Sequence, residues 1–245
     1  MSLLNIHKVI ARDLPDLWFQ AVNDILDIGR RFVIDKGSYA GQTRLEYDYF
    51  IGHVLNPSYG SETPEILPHI PAHMNIPDPV TFEYIYGAGE GKRSYIEYIM
   101  TAEKQENEQY TYGERLTAVF KHLGFASHTY INQIEKVIET YKKYGHRNNQ
   151  MVLQIAQPSD IELEDPPCLR HIDTRIQDGY LHFFIYFRSW DLWGGLPANL
   201  AGIEFLQKYM ASQIDVEQGE FIVESKGLHL YGYAEDLAKL RCMKE

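Results

Sequence analysis

Cys168 is one of only two cysteines in the 245-residue chain, and it stands directly after Pro166-Pro167. The two rings fix φ and remove backbone donors, so the backbone before the thiol is stiff and extended and presents it at the start of an expected strand. The thiolate is the nucleophilic form, yet a lone cysteine is more often a small buried hydrophobe. Its neighbourhood argues for chemistry. Two strand-like runs, 169–176 and 180–187, flank an Asp178-Gly179 turn, and Arg188-Ser189-Trp190-Asp191 follows the second run. A hairpin folds its far ends together, so Arg188 is expected to approach Cys168, favouring the thiolate while also offering its charge to a phosphate. Gly194-Gly195-Leu196-Pro197-Ala198-Asn199 comes next, and His229 and Tyr231 alternate on a later strand.

Each of these residues has a plainer use. Arg188 and Asp191 could pair on the surface, Asn199 could cap a helix, and His229 and Tyr231 could be ordinary sheet residues. Tyr112 is one of 18 tyrosines. Only a pattern that spans many positions decides between the two sets of readings.

The elements that must position these residues are legible in outline. Apolar residues at Leu14, Leu17, Trp18, Ala21 and Ile25 predict an amphipathic helix over 13–31. Residues 43–55, rich in aromatic and β-branched types, predict a strand, with Arg44 at the end of the loop before it. Six prolines make 56–80 an irregular surface loop or a lid. Helical spacing follows over 93–105, 113–123 and 129–144, the last ending at Gly145. Beyond the short strand 151–156 and the hairpin come a helix over 198–212, a strand over 220–229 and a short helix near Glu235. This mixture predicts an α+β fold with a mixed sheet, in a single catalytic domain over 1–245.

Composition narrows the partners. A net charge of -11 and a pI near 5.4 argue against a general nucleic-acid binder, so an anionic ligand needs a local positive cluster. Two distant cysteines supply neither a disulfide framework nor a ligand set for a structural metal, which fits a reducing cytoplasm. No signal peptide or membrane span is expected, since no run of about 18 apolar residues occurs. Two short signals are set aside. The glycines of 87–92 have the wrong spacing for a phosphate loop, and Pro68 and Pro71 deny His69 and His73 the helical face that a metal pair would need. No metal is expected.

Pro166-Pro167-Cys168, the Asp178-Gly179 hairpin, Tyr186-x-Arg188-Ser189-x-Asp191, Gly195-x-Pro197-x-Asn199-x-Ala201 and His229-x-Tyr231 occur in an order and spacing that resemble the thymidylate synthase family over about 164–233. The length and the segment Tyr110-Thr111-Tyr112-Gly113-Glu114-Arg115 look like its archaeal branch. The resemblance implies a three-layer fold with a bent mixed sheet and a symmetric homodimer. It makes Cys168 the nucleophile on carbon 6 of dUMP or a related pyrimidine nucleotide, with Arg188 and Ser189 on the phosphate. Asn199 would tell uracil from cytosine, since an amide offers both a donor and an acceptor. His229 and Tyr231 resemble the pair on the sugar hydroxyl, Asp191 the carboxylate at the pterin ring, and Tyr112 the tyrosine that helps remove the carbon 5 proton.

The N-terminal half matches less well. Glu97, with Glu83 behind it, is the candidate for the glutamate that orders water and polarises the base; Arg44 resembles a mobile phosphate-binding arginine. Arg147 would reach the phosphate of the other subunit, where the family uses an arginine pair. The implied co-substrate is 5,10-methylenetetrahydrofolate or methylene-tetrahydromethanopterin, and the implied reaction is reductive methylation of dUMP to dTMP. Leu169 and Phe187 replace a histidine and a glutamine of typical synthases, and the chain ends soon after Tyr231 without a long closing extension. The two apolar replacements alter the water network around the base, and the missing extension keeps open a rival, a pyrimidine nucleotide hydroxymethylase acting on dUMP or dCMP; a third reading is a non-catalytic nucleotide- or RNA-binding relative, against which Cys168, Arg188, Asn199 and His229 stand.

Overall fold

In the computed structural model of the protein, which describes residues 3–36, 39–59, 65–87, 92–122 and 128–244, Asp13 starts the first helix. Its carboxylate accepts the Asp16 N–H at 2.9 Å and Pro15 sits in the first turn, so the helix runs Leu14–Ile28 and buries Leu14, Leu17, Trp18, Ala21, Val22 and Ile25. The chain forms two compact units, one of Met1–Thr81, Phe187–Leu200 and Phe221–Glu245 and the other of Phe82–Tyr186 and Ala201–Glu220.

In the first unit, Ile6–Ala11 pairs in parallel with Tyr49–Val54, which pairs antiparallel with the 221–225 half of Glu217–Ser225. The helix comes down onto these strands at Gly52, where a Cβ would meet Leu17 Cδ1 at 2.7 Å and Val223 Cγ2 at 2.8 Å. A second sheet has the order Trp190–Asp191, Leu228–Tyr231, Thr43–Glu46, Arg30–Val33. Its register sets Asp191 beside His229 and His229 beside Glu46, and, one step along the same strands, Tyr231 beside Arg44. Side chains two apart share a face, so all five project from one side of this sheet.

In the second unit, Leu169–Gln177 and Tyr180–Phe187 are neighbours joined by the turn, with Asp178 at φ 53° and Gly179 at φ 85°. Two positive φ values in succession match the right-handed twist of the flanking strands, which is why Asp-Gly serves here. Val152–Gln154 pairs antiparallel with Leu169–Gln177, and the helix Gln133–Tyr144 buries Ile134, Val137, Ile138 and Tyr141. The hydroxyl of Tyr141 lies 2.9 Å from that of Thr174. Short helices Phe82–Tyr86, Tyr95–Met100 and Tyr112–Thr117 precede these strands, and the helix Gly195–Ile214 is longer than expected at both ends.

The α+β architecture with mixed sheets is as expected, and several local expectations are corrected. Residues 43–55 form two strands in two different sheets, because the chain turns at Tyr47-Asp48, where the Tyr47 hydroxyl donates to Ala21 O at 2.8 Å. The run 220–229 likewise splits at Lys226-Gly227. Arg44 is therefore a strand residue and not part of a loop. The helix expected over 113–123 stops at Thr117, and Val119–His122 pairs with His128–Ile131 instead, so Asn132 caps the next helix. Parts of 56–80 and of the glycine run 87–92, together with residues 123–127, lie outside the described residues. No helix among the described residues is long and apolar enough to cross a membrane.

Candidate active site

In the first unit the sheet face centres on His229, which is 3% exposed. Its Nδ1 lies 2.8 Å from Gly227 O. A carbonyl only accepts, so Nδ1 carries the proton and Nε2 presents a lone pair. That Nε2 is buried and has no hydrogen-bond partner among the described residues. Burial, and then the nearby charge of Arg44, lower the pKa of the ring from its ordinary 6.5, while Gly227 and Asp191 oppose them; His229 is a neutral acceptor at pH 7. Tyr231 stands edge-on to His229 at 4.6 Å between ring centroids and packs on Tyr39 at 4.5 Å. A neutral imidazole lone pair beside a phenol is suited to a ligand hydroxyl.

Arg44 and Glu46 alternate on the adjoining strand. Arg44 Nη2 lies 2.6 Å from Glu46 Oε2 in an ion pair, and Arg44 Nε is buried without a hydrogen-bond partner among the described residues. Burial raises the Glu46 pKa, more than Arg44 lowers it. Sequence reasoning missed Glu46; a charged residue two places from Arg44 on a strand bound for a common face was the signal.

Arg188 and Ser189 are half-buried in the bend between Tyr180–Phe187 and Trp190–Asp191. The Asp191 carboxylate accepts the N–H groups of Trp193, Gly194 and Gly195 at 3.1, 3.1 and 2.9 Å, which closes the loop into the start of the long helix. Asn199 lies within that helix, so it is no cap, and its Oδ1 accepts from Trp190 Nε1 at 2.8 Å.

In the second unit Cys168 is partly buried and immediately precedes Leu169–Gln177. Tyr112, 8% exposed, opens its helix under a Thr111 cap, and its hydroxyl accepts the Leu169 N–H at 3.3 Å. Burial, then the proximity of Tyr95 and Cys168, push the Tyr112 pKa well above 10, so the phenol keeps its proton. Tyr98 meets Tyr112 edge-on at 5.5 Å and Tyr95 at 5.4 Å, and its own pKa is pushed up to about 12, chiefly by burial. This phenol cluster was not expected, since tyrosines scattered over 95–112 carry no periodic signal.

Glu97 has a structural occupation. Its Oε2 accepts the Ser94 N–H at 2.8 Å while Ser94 Oγ accepts the Glu97 N–H at 3.1 Å, a capping box for Tyr95–Met100. Glu83 is exposed in the first turn of Phe82–Tyr86, and Arg147 is exposed after Gly145. Among the described residues no group of three or more His, Cys, Asp or Glu could hold a metal ion.

One set of residues offers a neutral imidazole acceptor, phenols and arginines, and the other a thiol near a protonated phenol. The model of the family described as thymidylate synthase matches residues 82–245, and the chain belongs to that family. It is 27% identical to a protein of Methanosarcina acetivorans named "Putative thymidylate synthase" over 94% of this chain and 91% of that one. A Methanosarcina barkeri protein of the same name is 26% identical over 94% of this chain and 92% of its own length. A thymidylate synthase of Vesicomyosocius okutanii is 32% identical over 41% of this chain and 38% of its own.

Proposed function

We propose that this chain is a methyltransferase that converts dUMP to dTMP by reductive methylation at carbon 5, through a covalent adduct on Cys168. The Cys168 thiolate adds to carbon 6 of the base, which turns carbon 5 into a nucleophile of enolate character. The reduced pterin, methylenetetrahydrofolate or its methanopterin counterpart, passes its methylene to carbon 5, is eliminated from it once the carbon 5 proton is gone, and gives a hydride to the resulting exocyclic methylene, leaving as the dihydro form. Tyr112 and an ordered water remove the carbon 5 proton; as a neutral phenol, Tyr112 works by hydrogen bonding and not as a phenolate. Glu97 Oε1, the oxygen outside the capping box, orders that water at the base carbonyl. Cys168 then leaves as carbon 6 regains its double bond.

Arg188, Ser189 and Arg44 bind the phosphate, with Arg147 of a second subunit completing it in a homodimer. Arg44 is to exchange Glu46 for the phosphate, a step favoured by its buried Nε, which has no partner among the described residues. Asn199 reads the base edge, and Asp191 offers a carboxylate, the acceptor that the N–H edge of a pterin requires. Residues 1–245 act as one catalytic domain, in the cytoplasm, where cysteines outside disulfides, such as Cys168 and Cys242, are stable as thiols.

The observation that carries this reading is the buried Nε2 of His229, a lone pair without a partner among the described residues and two residues from Tyr231, because a buried acceptor is costly until a ligand hydroxyl meets it. Leu169 and Phe187, both fully buried, favour methylation over hydroxymethylation, since apolar groups do not order the water that would compete with hydride. Product analysis tests this: dTMP is expected from dUMP and a methylene donor, hydroxymethyl-dUMP would make the enzyme a hydroxymethylase, and dUMP binding without turnover under any donor would make it a non-catalytic relative.

A further inference from the structure

Both peptide groups that flank Cys168 are held by side chains of the second unit. On one side Tyr112 Oη accepts the Leu169 N–H at 3.3 Å. On the other, Arg170 reaches back along the chain, and its Nη1 donates to Pro167 O at 3.1 Å. Pro167 has no N–H, so its carbonyl is the main-chain handle by which a side chain can fix the backbone just before the thiol.

An arginine has a long, rotatable stem and steadies a carbonyl only when its own head is held. Asp160 supplies that hold. Its side chain is 2% exposed, and its Oδ2 lies 3.9 Å from Arg170 Nη1, an ion pair longer than a hydrogen bond. The carboxylate is itself fixed, since Oδ1 accepts from Arg115 Nη2 at 2.8 Å and Oδ2 accepts the Gln157 N–H at 2.7 Å. Arg115 and Tyr112 stand three residues apart on Tyr112–Thr117, hence on one face of that helix. Both holds on the flanking peptides therefore trace back to a single helix, Tyr112 directly and Arg170 through Asp160 and Arg115.

We propose that Arg170, anchored on Asp160, is a positioning residue for Cys168: by holding the Pro167 carbonyl it fixes the direction from which the thiol meets carbon 6 of the base. This rests on the reading of Cys168 as the nucleophile. A thiol that adds to a ring and later leaves it needs one geometry through both steps, and a misplacement of about 1 Å costs about 100-fold in rate. Arg170 is the link to vary. Removing Asp160 would leave the buried Arg115 guanidinium without its carboxylate, whereas removing Arg170 leaves the Arg115–Asp160 pair in place.

The test measures tritium release from carbon 5 of labelled dUMP, the dUMP dissociation constant and the melting temperature for the wild-type protein, Arg170→Met and Arg170→Lys. Methionine keeps the apolar stem and loses charge and donors; lysine keeps a charge and a donor on a shorter reach. Arg170→Met is expected to lower the release rate about 100-fold while dUMP affinity stays within about twofold, and Arg170→Lys to regain about tenfold of that loss. Wild-type turnover in Arg170→Met overturns the proposal, and so does a loss of turnover matched by an equal loss of affinity, which would place Arg170 on the nucleotide. Wild-type protein that releases no tritium overturns the reading of Cys168 instead, and backbone amide exchange then decides the positioning by itself. The Cys168 and Leu169 amides of Arg170→Met are expected to exchange about fivefold faster than those of the wild type, the worth of one hydrogen bond; equal exchange contradicts the hold. If Arg170→Met does not fold, Arg170→Lys decides, with release lowered about tenfold expected and wild-type release contradicting the proposal.

Discussion

The hydroxyl of Tyr112 accepts the backbone N–H of Leu169 at 3.3 Å, which ties the phenol to the residue that follows Cys168. Because the phenol is buried and keeps its proton, its O–H remains available as a donor while its oxygen supports the backbone beside the thiol. Tyr112→Phe is expected to lower turnover about 100-fold, the scale of a lost proton-transfer partner, with little change in dUMP affinity. Losing the acceptor for Leu169 should also cost about 1 kcal/mol of stability. Steady-state kinetics with a binding titration and a urea melt check both parts; unchanged turnover would remove Tyr112 from the proton path.

His229 links the site to pH. Its pKa in the folded protein lies below the ordinary 6.5, chiefly through burial, so on acidification the unfolded chain takes up this proton first. The folded state therefore loses stability as pH falls through about 6.5, and the group has no effect above that range. His229→Gln should flatten the fall in melting temperature between about pH 7 and pH 5 relative to wild type. It should also weaken dUMP binding about tenfold, with little further loss when the sugar hydroxyl is removed from the ligand. A variant that still discriminates the hydroxyl would show that Nε2 has another use.

Gly113 lets the two short tyrosine-bearing helices approach. A Cβ there would lie 2.0 Å from Thr101 O and 2.6 Å from Tyr98 O, both backbone atoms that no rotamer change relieves. Gly113→Ala is expected to destabilise the protein by about 3 kcal/mol and to displace Tyr112, lowering turnover along with the melting temperature. Normal stability in this variant would contradict the packing of Tyr95–Met100 on Tyr112–Thr117.

The hairpin carrying the thiol was legible because Asp178-Gly179 has one dominant backbone use, and the first helix because its apolar stripe is uninterrupted. Ile6–Ala11 and Arg30–Val33 were not legible: the first exposes apolar Ile6 and Ile10 while burying Val9 and Ala11, so its residue types do not alternate, and every residue of the second is exposed. The breaks at Tyr47-Asp48 and Lys226-Gly227 were missed because propensity cannot say that a continuous β-like run changes sheets. Within the candidate site, His229, Tyr231 and Asn199 stood out through their spacing. Glu46 was not, because its place beside His229 depends on strand register, and neither was the Trp190 contact, which depends on side-chain direction. The second occupation of Glu97, closing the Ser94 capping box, was not legible because it depends on where the helix begins.

The most direct test of the central claim is release of tritium from carbon 5 of labelled dUMP by wild-type protein and by Cys168→Ser, with and without methylenetetrahydrofolate or its methanopterin counterpart. Donor-dependent release by the wild type that disappears in Cys168→Ser is the expected result. Release that persists without the thiol, or no release with either donor, would contradict covalent one-carbon chemistry at Cys168.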